Sequence, residues 1–265
     1  MSFKKRLAEK TGLEERLLPS SYQIIGDVLL IKFMKIRSLG QKQKIASSIL
    51  ELLPYVKTVC EIKKISSEFR TPRIKKLAGK RTVTVHKEHG ILYKIDVSKI
   101  MFSKGNLFER QRLLSKIKKD ETVIDMFAGI GYFSLSIAKK CKKVYAIEKN
   151  PIAYKYLKEN IKLNKIKNIE PILGDNRKIR LNEKADRIVM GYFPGTEKFV
   201  PNALKMLKPN GIIHFHNTYR EDEVWEKPMN DIKKNIKRFK ILDKKVVKSV
   251  SPRTYHVVID VKIIS

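Results

Sequence analysis

The spacing of apolar and polar positions changes near Leu113. Before it, short apolar runs alternate with polar residues, the pattern of strands with one wet face. The runs are Val28-Leu29-Leu30-Ile31-Lys32-Phe33, Thr58–Ile62, Thr82–His86 and Ile91–Val97. A helix is predicted from Gln41 to Leu53, ended by Pro54, and a short helical arm lies before Pro19. These elements predict an arm over residues 1–19 and a small α+β domain over residues 20–100, with an antiparallel sheet open on one face. Between two of its strands, Glu68–Arg81 reads as a basic loop carrying Arg70, Arg73, Lys75 and Lys76. After Leu113, strands predicted at 122–126, 143–147, 169–173, 185–191 and 211–216 alternate with helices at 131–140, 151–163, 196–207 and 221–236. Phe239–Val250 and Tyr255–Ile264, joined by Ser251-Pro252-Arg253, break that alternation as a hairpin. The expected fold is α/β, a mixed Rossmann-type sheet over residues 101–265 whose parallel strands are closed by the antiparallel hairpin.

The most informative turn follows the first of these later strands. Val123-Ile124 ends in Asp125, and Met126-Phe127-Ala128-Gly129-Ile130-Gly131 leads into a helical pattern. This is the grammar of a β-α-β unit whose first turn lets a ligand approach the backbone. Ser134 stands where the dinucleotide fingerprint has its third glycine. The next apolar run ends in Glu148, where a carboxylate can accept both hydroxyls of a ribose. The third ends in Asp175-Asn176; Asp175 suits an adenine amino group and Asn176 a ring nitrogen. An adenosine ligand without a pyrophosphate fits this set better than NAD does, and S-adenosylmethionine is the candidate. A bare turn that binds nothing is the alternative, but three strand ends with matching chemistry favour a ligand at the carboxyl edge.

Charge adds a partner. Lys+Arg 58 against Asp+Glu 27 leaves +31 over 265 residues. A field of that size suits a partner with dense phosphates, and the basic segment is the expected contact. A lysine-rich proteome is the competing explanation, but it ordinarily raises glutamate as well. No run of apolar residues is long enough for a membrane span, and Met1-Ser2-Phe3-Lys4-Lys5-Arg6 has no apolar stretch behind it, so a cytoplasmic protein is expected. Cys60 and Cys141 form no paired motif and read as reduced thiols; no cluster has metal-ligand spacing, so no metal is expected.

Several segments converge on one family. They are Met101-Phe102-Ser103-Lys104-Gly105-Asn106-Leu107-Phe108-Glu109-Arg110, His86-Lys87-Glu88-His89-Gly90, Gly191-Tyr192-Phe193-Pro194-Gly195-Thr196-Glu197-Lys198-Phe199 and Gly211-Ile212-Ile213-His214-Phe215-His216-Asn217. Over roughly residues 20–265 the chain resembles the TYW2/Taw2 family of wybutosine-pathway enzymes, relatives of the Trm5 tRNA guanine-37 N1-methyltransferases. The methyltransferase branch carries Asn-Leu-Pro after the fourth strand. This chain keeps Pro194 but has no Asn and no Leu in register; that departure, with Gly195-Thr196-Glu197-Lys198-Phe199 and His214-Phe215-His216, looks like the TYW2 branch.

The resemblance implies transfer of the 3-amino-3-carboxypropyl group of S-adenosylmethionine to a tricyclic guanosine derivative at tRNA position 37. A sulfonium activates all three of its carbons, and the one in line with the nucleophile reacts. The resemblance also places Ser103 and Arg110 on the methionine tail; without it they read as an N-cap serine and a surface arginine of a helix from Phe108 to Lys116. The expected cofactor set is therefore Ser103, Arg110, Asp125, Phe127, Gly129, Gly131, Glu148, Asp175 and Asn176. No catalytic base is legible. His214 and His216 alternate on a strand, with one of them expected to face the cleft; His216 and Tyr192 are the candidates, Tyr192 and Phe193 as stacking partners for a flipped base or as core aromatics. The rival readings are a tRNA guanine-37 N1-methyltransferase and an RNA-binding protein without catalysis.

Overall fold

The computed structural model describes residues 1–66 and 70–264, so Glu68 and Phe69 of the predicted basic loop lie outside the described residues. The chain divides into two compact units, Met1–Phe102 and Ser103–Ser265.

In the first unit, α1 (Phe3–Thr11) starts at Ser2, whose side chain accepts the Lys5 N–H, and stops at Gly12 in the left-handed conformation at φ 67°. Leu7 and Leu18 are buried in this unit's core, so the residues expected as an arm belong to its body. Strands β1 (Tyr22–Ile25) and β2 (Val28–Ile31) form a hairpin, α2 (Leu39–Leu52) follows, and β3 (Thr58–Ser66) and β4 (Thr71–Gly79) complete a sheet in the order β1-β2-β3-β4. The β2–β3 pair is parallel, so the sheet is mixed and not antiparallel as expected. The cause is α2, a crossover helix that returns the chain to the same end of the sheet. Ile45, Ala46 and Ile49 of α2 pack on Leu29, Ile31 and Val59. β5 (Val83–Glu88) and β6 (Ile91–Asp96) pair as a separate hairpin.

β4 corrects the basic-loop reading. Arg73, Lys75 and Lys76 lie on a nine-residue edge strand, paired opposite Lys64, Glu61 and Cys60, and Arg70 sits in the turn before it at φ 52°. Lysines on an exposed edge hide the strand signal and keep other chains from pairing there.

In the second unit, α3 (Leu107–Lys116) precedes β7 (Thr122–Asp125), α4 (Ser134–Ala138), β8 (Lys143–Glu148), α5 (Pro151–Leu163), β9 (Ile169–Leu173), β10 (Ala185–Met190), α6 (Val200–Met206), β11 (Leu207–Arg220), α7 (Glu226–Lys233), β12 (Phe239–Ser251) and β13 (Thr254–Ile263). The sheet order is β12-β13-β11-β10-β7-β8-β9, with β7 to β11 parallel and β12 and β13 antiparallel. The predicted helices 131–140, 196–207 and 221–236 are shorter because their first residues form turns or 3-10 helix. α5 matches its prediction: Asn150 caps it by accepting the Ile152 N–H, and Pro151 supplies the preset φ of a first turn. Ile124, Met126, Ile188, Met190, Ile213 and Phe215 pack with Val200, Ala203, Met206 and Ile232 of α6 and α7 into one core layer. The chain leaves β7 toward β8 and β9, then returns to the other side of β7 as β10. That reversal opens a crevice at the carboxyl ends of β7 and β10, where doubly wound sheets bind ligands.

Candidate functional site

The glycine turn is built from the inside. Asp125, fully buried at the end of β7, accepts the Ser134 hydroxyl at 2.6 Å and the Phe127 N–H at 3.3 Å. Burial raises its carboxyl to about 6. Ser134, in the position of the missing third glycine, closes the turn through this bond. Asp125 therefore shapes the turn from within. Gly129 and Gly131 have φ of 58° and 100°, and a Cβ on either would lie 2.6 Å from Tyr132 or Leu135 respectively. Both the backbone and the space demand glycine there.

Glu148 ends β8 beneath this turn. Its Oε2 accepts the Gly129 N–H at 2.7 Å and its Oε1 the Asn150 N–H at 2.7 Å. Burial raises its pKa, against those two backbone hydrogen bonds. A carboxylate oxygen accepts more than one hydrogen bond, so each retains capacity for a ribose hydroxyl. Glu148 thus fixes the glycine turn and presents acceptors with the same group.

After β9, Asp175 accepts the Arg177 N–H at 3.0 Å and the Arg177 Nε–H at 2.9 Å, and Lys149 Nζ lies 3.4 Å away. The Arg177 guanidinium holds its carboxyl well below the usual range. Asn176 is buried and donates its amide to the Met126 carbonyl, while Asn202 donates to the Asn176 carbonyl. The Asn176 amide thus ties the third strand end to the first turn. Beside it, Phe127 stacks on Tyr192 with centroids 4.9 Å apart and meets Phe199 edge-on at 5.0 Å. Tyr192 leads into the cis peptide Phe193-Pro194 after β10. The structure brings Phe127 and Tyr192 into one aromatic group; Phe199 is its third member, present in the quoted segment but not singled out there.

Ser103 and Arg110 also come together. Arg110 Nη1 donates to the Ser103 carbonyl at 3.4 Å. Arg110 is 6% exposed, so it is no surface arginine, and α3 is preceded by Asn106, so Ser103 is not its N-cap. Ser103 Oγ accepts from Lys248 Nζ at 2.8 Å, a residue of β12 that no spacing in the sequence connects with it.

Behind α3 lies a buried polar network. Arg112 pairs with both oxygens of Glu109 at 2.7 and 2.8 Å, both of Asp260 at 2.7 and 3.1 Å, and Asp243 at 2.9 Å. His214 Nδ1 is 2.6 Å from Asp260, and its Nε2 is 2.7 Å from Arg187 Nη1. A guanidinium only donates, so Nε2 accepts and the Nδ1–H donates to Asp260. His216 Nδ1 lies 3.0 Å from His256 Nε2, and its Nε2 is 3.7 Å from Glu109. Burial lowers the pKa of both His214 and His216. The expectation that one of these histidines faces the cleft fails, because residues two apart on a strand share a face. Ile213 and Phe215 fill the opposite core layer, and both imidazoles are buried toward Arg112, Asp260 and Glu109.

A parallel sheet with a terminal hairpin, a two-glycine turn, and Glu148 beneath that turn define a Rossmann-fold transferase built for an adenosine-bearing cofactor. Among the described residues no helix is long and apolar enough to cross a membrane, and no group of His, Cys, Asp and Glu could hold a metal ion. The TRM5/TYW2 methyltransferase domain model matches residues 84–244 and the TYW2 N-terminal domain model residues 3–82. The chain belongs to the TRM5/TYW2 family.

The tRNA(Phe) (4-demethylwyosine(37)-C(7)) aminocarboxypropyltransferase of Methanocaldococcus jannaschii is 45% identical over 251 residues, 91% of this chain and 97% of that protein. The crystal structure of Pyrococcus horikoshii TYW2 in complex with MeSAdo is 40% identical with a TM-score of 0.85, covering 98% of each chain. The complex of aTrm5 and tRNALeu is 34% identical with a TM-score of 0.87, covering 99% of this chain and 78% of that one.

Proposed function

We propose that this protein transfers the 3-amino-3-carboxypropyl group of S-adenosylmethionine to C7 of 4-demethylwyosine at position 37 of tRNA-Phe. The observation that carries this reading is a match of 45% identity extending over 97% of a curated aminocarboxypropyltransferase. The match to the tRNA (guanine(37)-N(1))-methyltransferase Trm5b of Pyrococcus abyssi leaves about a quarter of that protein uncovered, since 76% is matched. Gly191-Tyr192-Phe193 before Pro194, in place of Asn-Leu-Pro, favours the same branch.

In the reaction the methionine Cγ–S bond breaks and its electron pair passes to sulfur, giving neutral methylthioadenosine. Cγ bonds to C7 of the acceptor, whose displaced proton leaves to a base or to water. The protein's task is to hold Cγ, and not the methyl carbon, in line with C7. Glu148 accepts the ribose hydroxyls, the turn at Gly129 and Gly131 lets the cofactor lie against backbone, and Phe127 and Tyr192 supply aromatic faces. Arg110 takes the tail carboxylate, with Ser103 beside it, and a guanidinium matches a carboxylate bidentately. Asp175 accepts from the adenine amino group.

The anticodon loop around position 37 is the segment of tRNA brought to this site. Arg70, Arg73, Lys75 and Lys76 contact tRNA phosphates; their exposure along the edge strand β4 and the turn before it, within a chain of net charge +31, supports that role. The enzyme works in the cytoplasm, with its tRNA. The test is mass analysis of nucleosides from tRNA-Phe carrying 4-demethylwyosine after incubation with enzyme and cofactor. A product heavier by the aminocarboxypropyl group is expected. A product heavier by a methyl group would overturn the reading.

A further inference from the structure

Ser103 sits between two cationic side chains drawn from distant parts of the second unit. Lys248 Nζ, on β12, donates to Ser103 Oγ at 2.8 Å, and Arg110 Nη1, on α3, donates to the Ser103 carbonyl at 3.4 Å. Gly105 leaves room for the lysine: a Cβ there would lie 3.0 Å from Lys248 Cδ and 3.2 Å from its Nζ. A hydroxyl that accepts from an ammonium keeps its own proton to donate. One O–H donor, one ammonium and one guanidinium therefore meet at the single residue Ser103. That is a donor set for a carboxylate, and Arg110 is 6% exposed, so its charge is only weakly screened there.

We propose that Lys248 is a second anchor for the carboxylate of the methionine tail and a specificity determinant for which group leaves the sulfonium. The proposal rests on the reading that Ser103 and Arg110 hold that tail. Breaking the Cγ–S bond releases methylthioadenosine, and the part that stays carries the carboxylate. A single arginine lets a flexible four-carbon chain pivot. A second cation from a different element, relayed through Ser103, fixes the direction of Cγ.

The experiment is calorimetric titration of wild type, Lys248→Met and Lys248→Arg with S-adenosylmethionine and with methylthioadenosine, which has no tail. For Lys248→Met, affinity for S-adenosylmethionine is expected to fall about ten-fold, the scale of one hydrogen bond to a charged group, with methylthioadenosine unchanged. The unchanged ligand doubles as the folding control. Lys248→Arg keeps the charge and is expected to stay within about three-fold of wild type. Unchanged S-adenosylmethionine affinity in Lys248→Met, including the case where only tRNA binding weakens, overturns the proposal; so does equal weakening of both ligands. A parallel titration of Arg110→Ala separates the two failures. If it too leaves tail-dependent affinity intact, the tail reading itself is wrong. If it alone loses that affinity, only the role of Lys248 is wrong.

Discussion

Replacing Arg112 by methionine removes the hub that ties α3 to the C-terminal hairpin. Five guanidinium hydrogen bonds between 2.7 and 3.1 Å disappear, to Glu109, Asp260 and Asp243. The consequence differs by acid. Asp260 keeps His214 at 2.6 Å and Lys116 at 2.8 Å, and Asp243 keeps Lys116. Glu109 loses both hydrogen bonds from Arg112, and its side chain is 1% exposed. Leaving one buried charge without its partner costs about 3–5 kcal/mol, so a loss near 3 kcal/mol is expected at pH 7 after methionine refills the volume. The pH dependence carries the diagnosis. Burial already raises the pKa of Glu109, opposed chiefly by Arg112. Without Arg112 that pKa rises further, the folded variant binds a proton the unfolded chain does not, and the variant gains stability as pH falls. In wild type, burial works against ionised Asp260, but hydrogen bonds from His214 and Arg112 hold its pKa well below the ordinary value; stability is lost as pH falls below the carboxylate range. Between pH 7 and pH 5 the Glu109 effect shrinks the gap between the two proteins, because Asp260 titrates only at lower pH. Urea unfolding at pH 7 and pH 5 measures it. A gap under about 1 kcal/mol at pH 7, or one that does not shrink toward pH 5, would refute the reasoning.

Glu148→Ala is expected to weaken S-adenosylmethionine binding by about 1.5–3 kcal/mol by calorimetry. It also strands the Gly129 and Asn150 N–H groups that Glu148 now accepts, so thermal stability falls with it; unchanged affinity would sink the assignment. Replacing Arg73 and Lys75 together by alanine should lower the slope of log tRNA affinity against log salt by roughly one to two, and a wild-type slope would show that the β4 edge carries charge for solubility alone. Arg110→Ala should cut turnover with tRNA far more than it weakens methylthioadenosine binding; equal loss for both would make Arg110 a general support of the pocket.

The parts of this fold legible in sequence are those where one local rule dominates. β7, β8, β9 and β10 are short apolar runs ended by a turn signal, and each lies where its run predicts. β4 was illegible because Arg73, Lys75 and Lys76 punctuate it; an edge strand has no second neighbour to demand apolar alternation. The parallel β2–β3 pairing follows from the path of α2, a property of connection and not of either strand's composition. At the site, Gly129, Gly131 and Glu148 were legible because backbone conformation and strand-end position are local. That Asp125 and Asn176 also tie the turns together from inside was not legible, because only packing shows which groups a polar side chain meets. Lys248 reaches Ser103 from 145 residues downstream, where no periodicity could have pointed.

The identity of the transferred group separates the aminocarboxypropyltransferase from its methyltransferase relatives. The direct measurement supplies S-adenosylmethionine labelled on the carboxyl carbon in one reaction and on the methyl carbon in another, with tRNA-Phe bearing 4-demethylwyosine. Carboxyl label is expected in the tRNA and methyl label in released methylthioadenosine. Methyl label in the tRNA would contradict aminocarboxypropyl transfer in favour of a methyltransferase, and label in neither would leave only an RNA-binding protein.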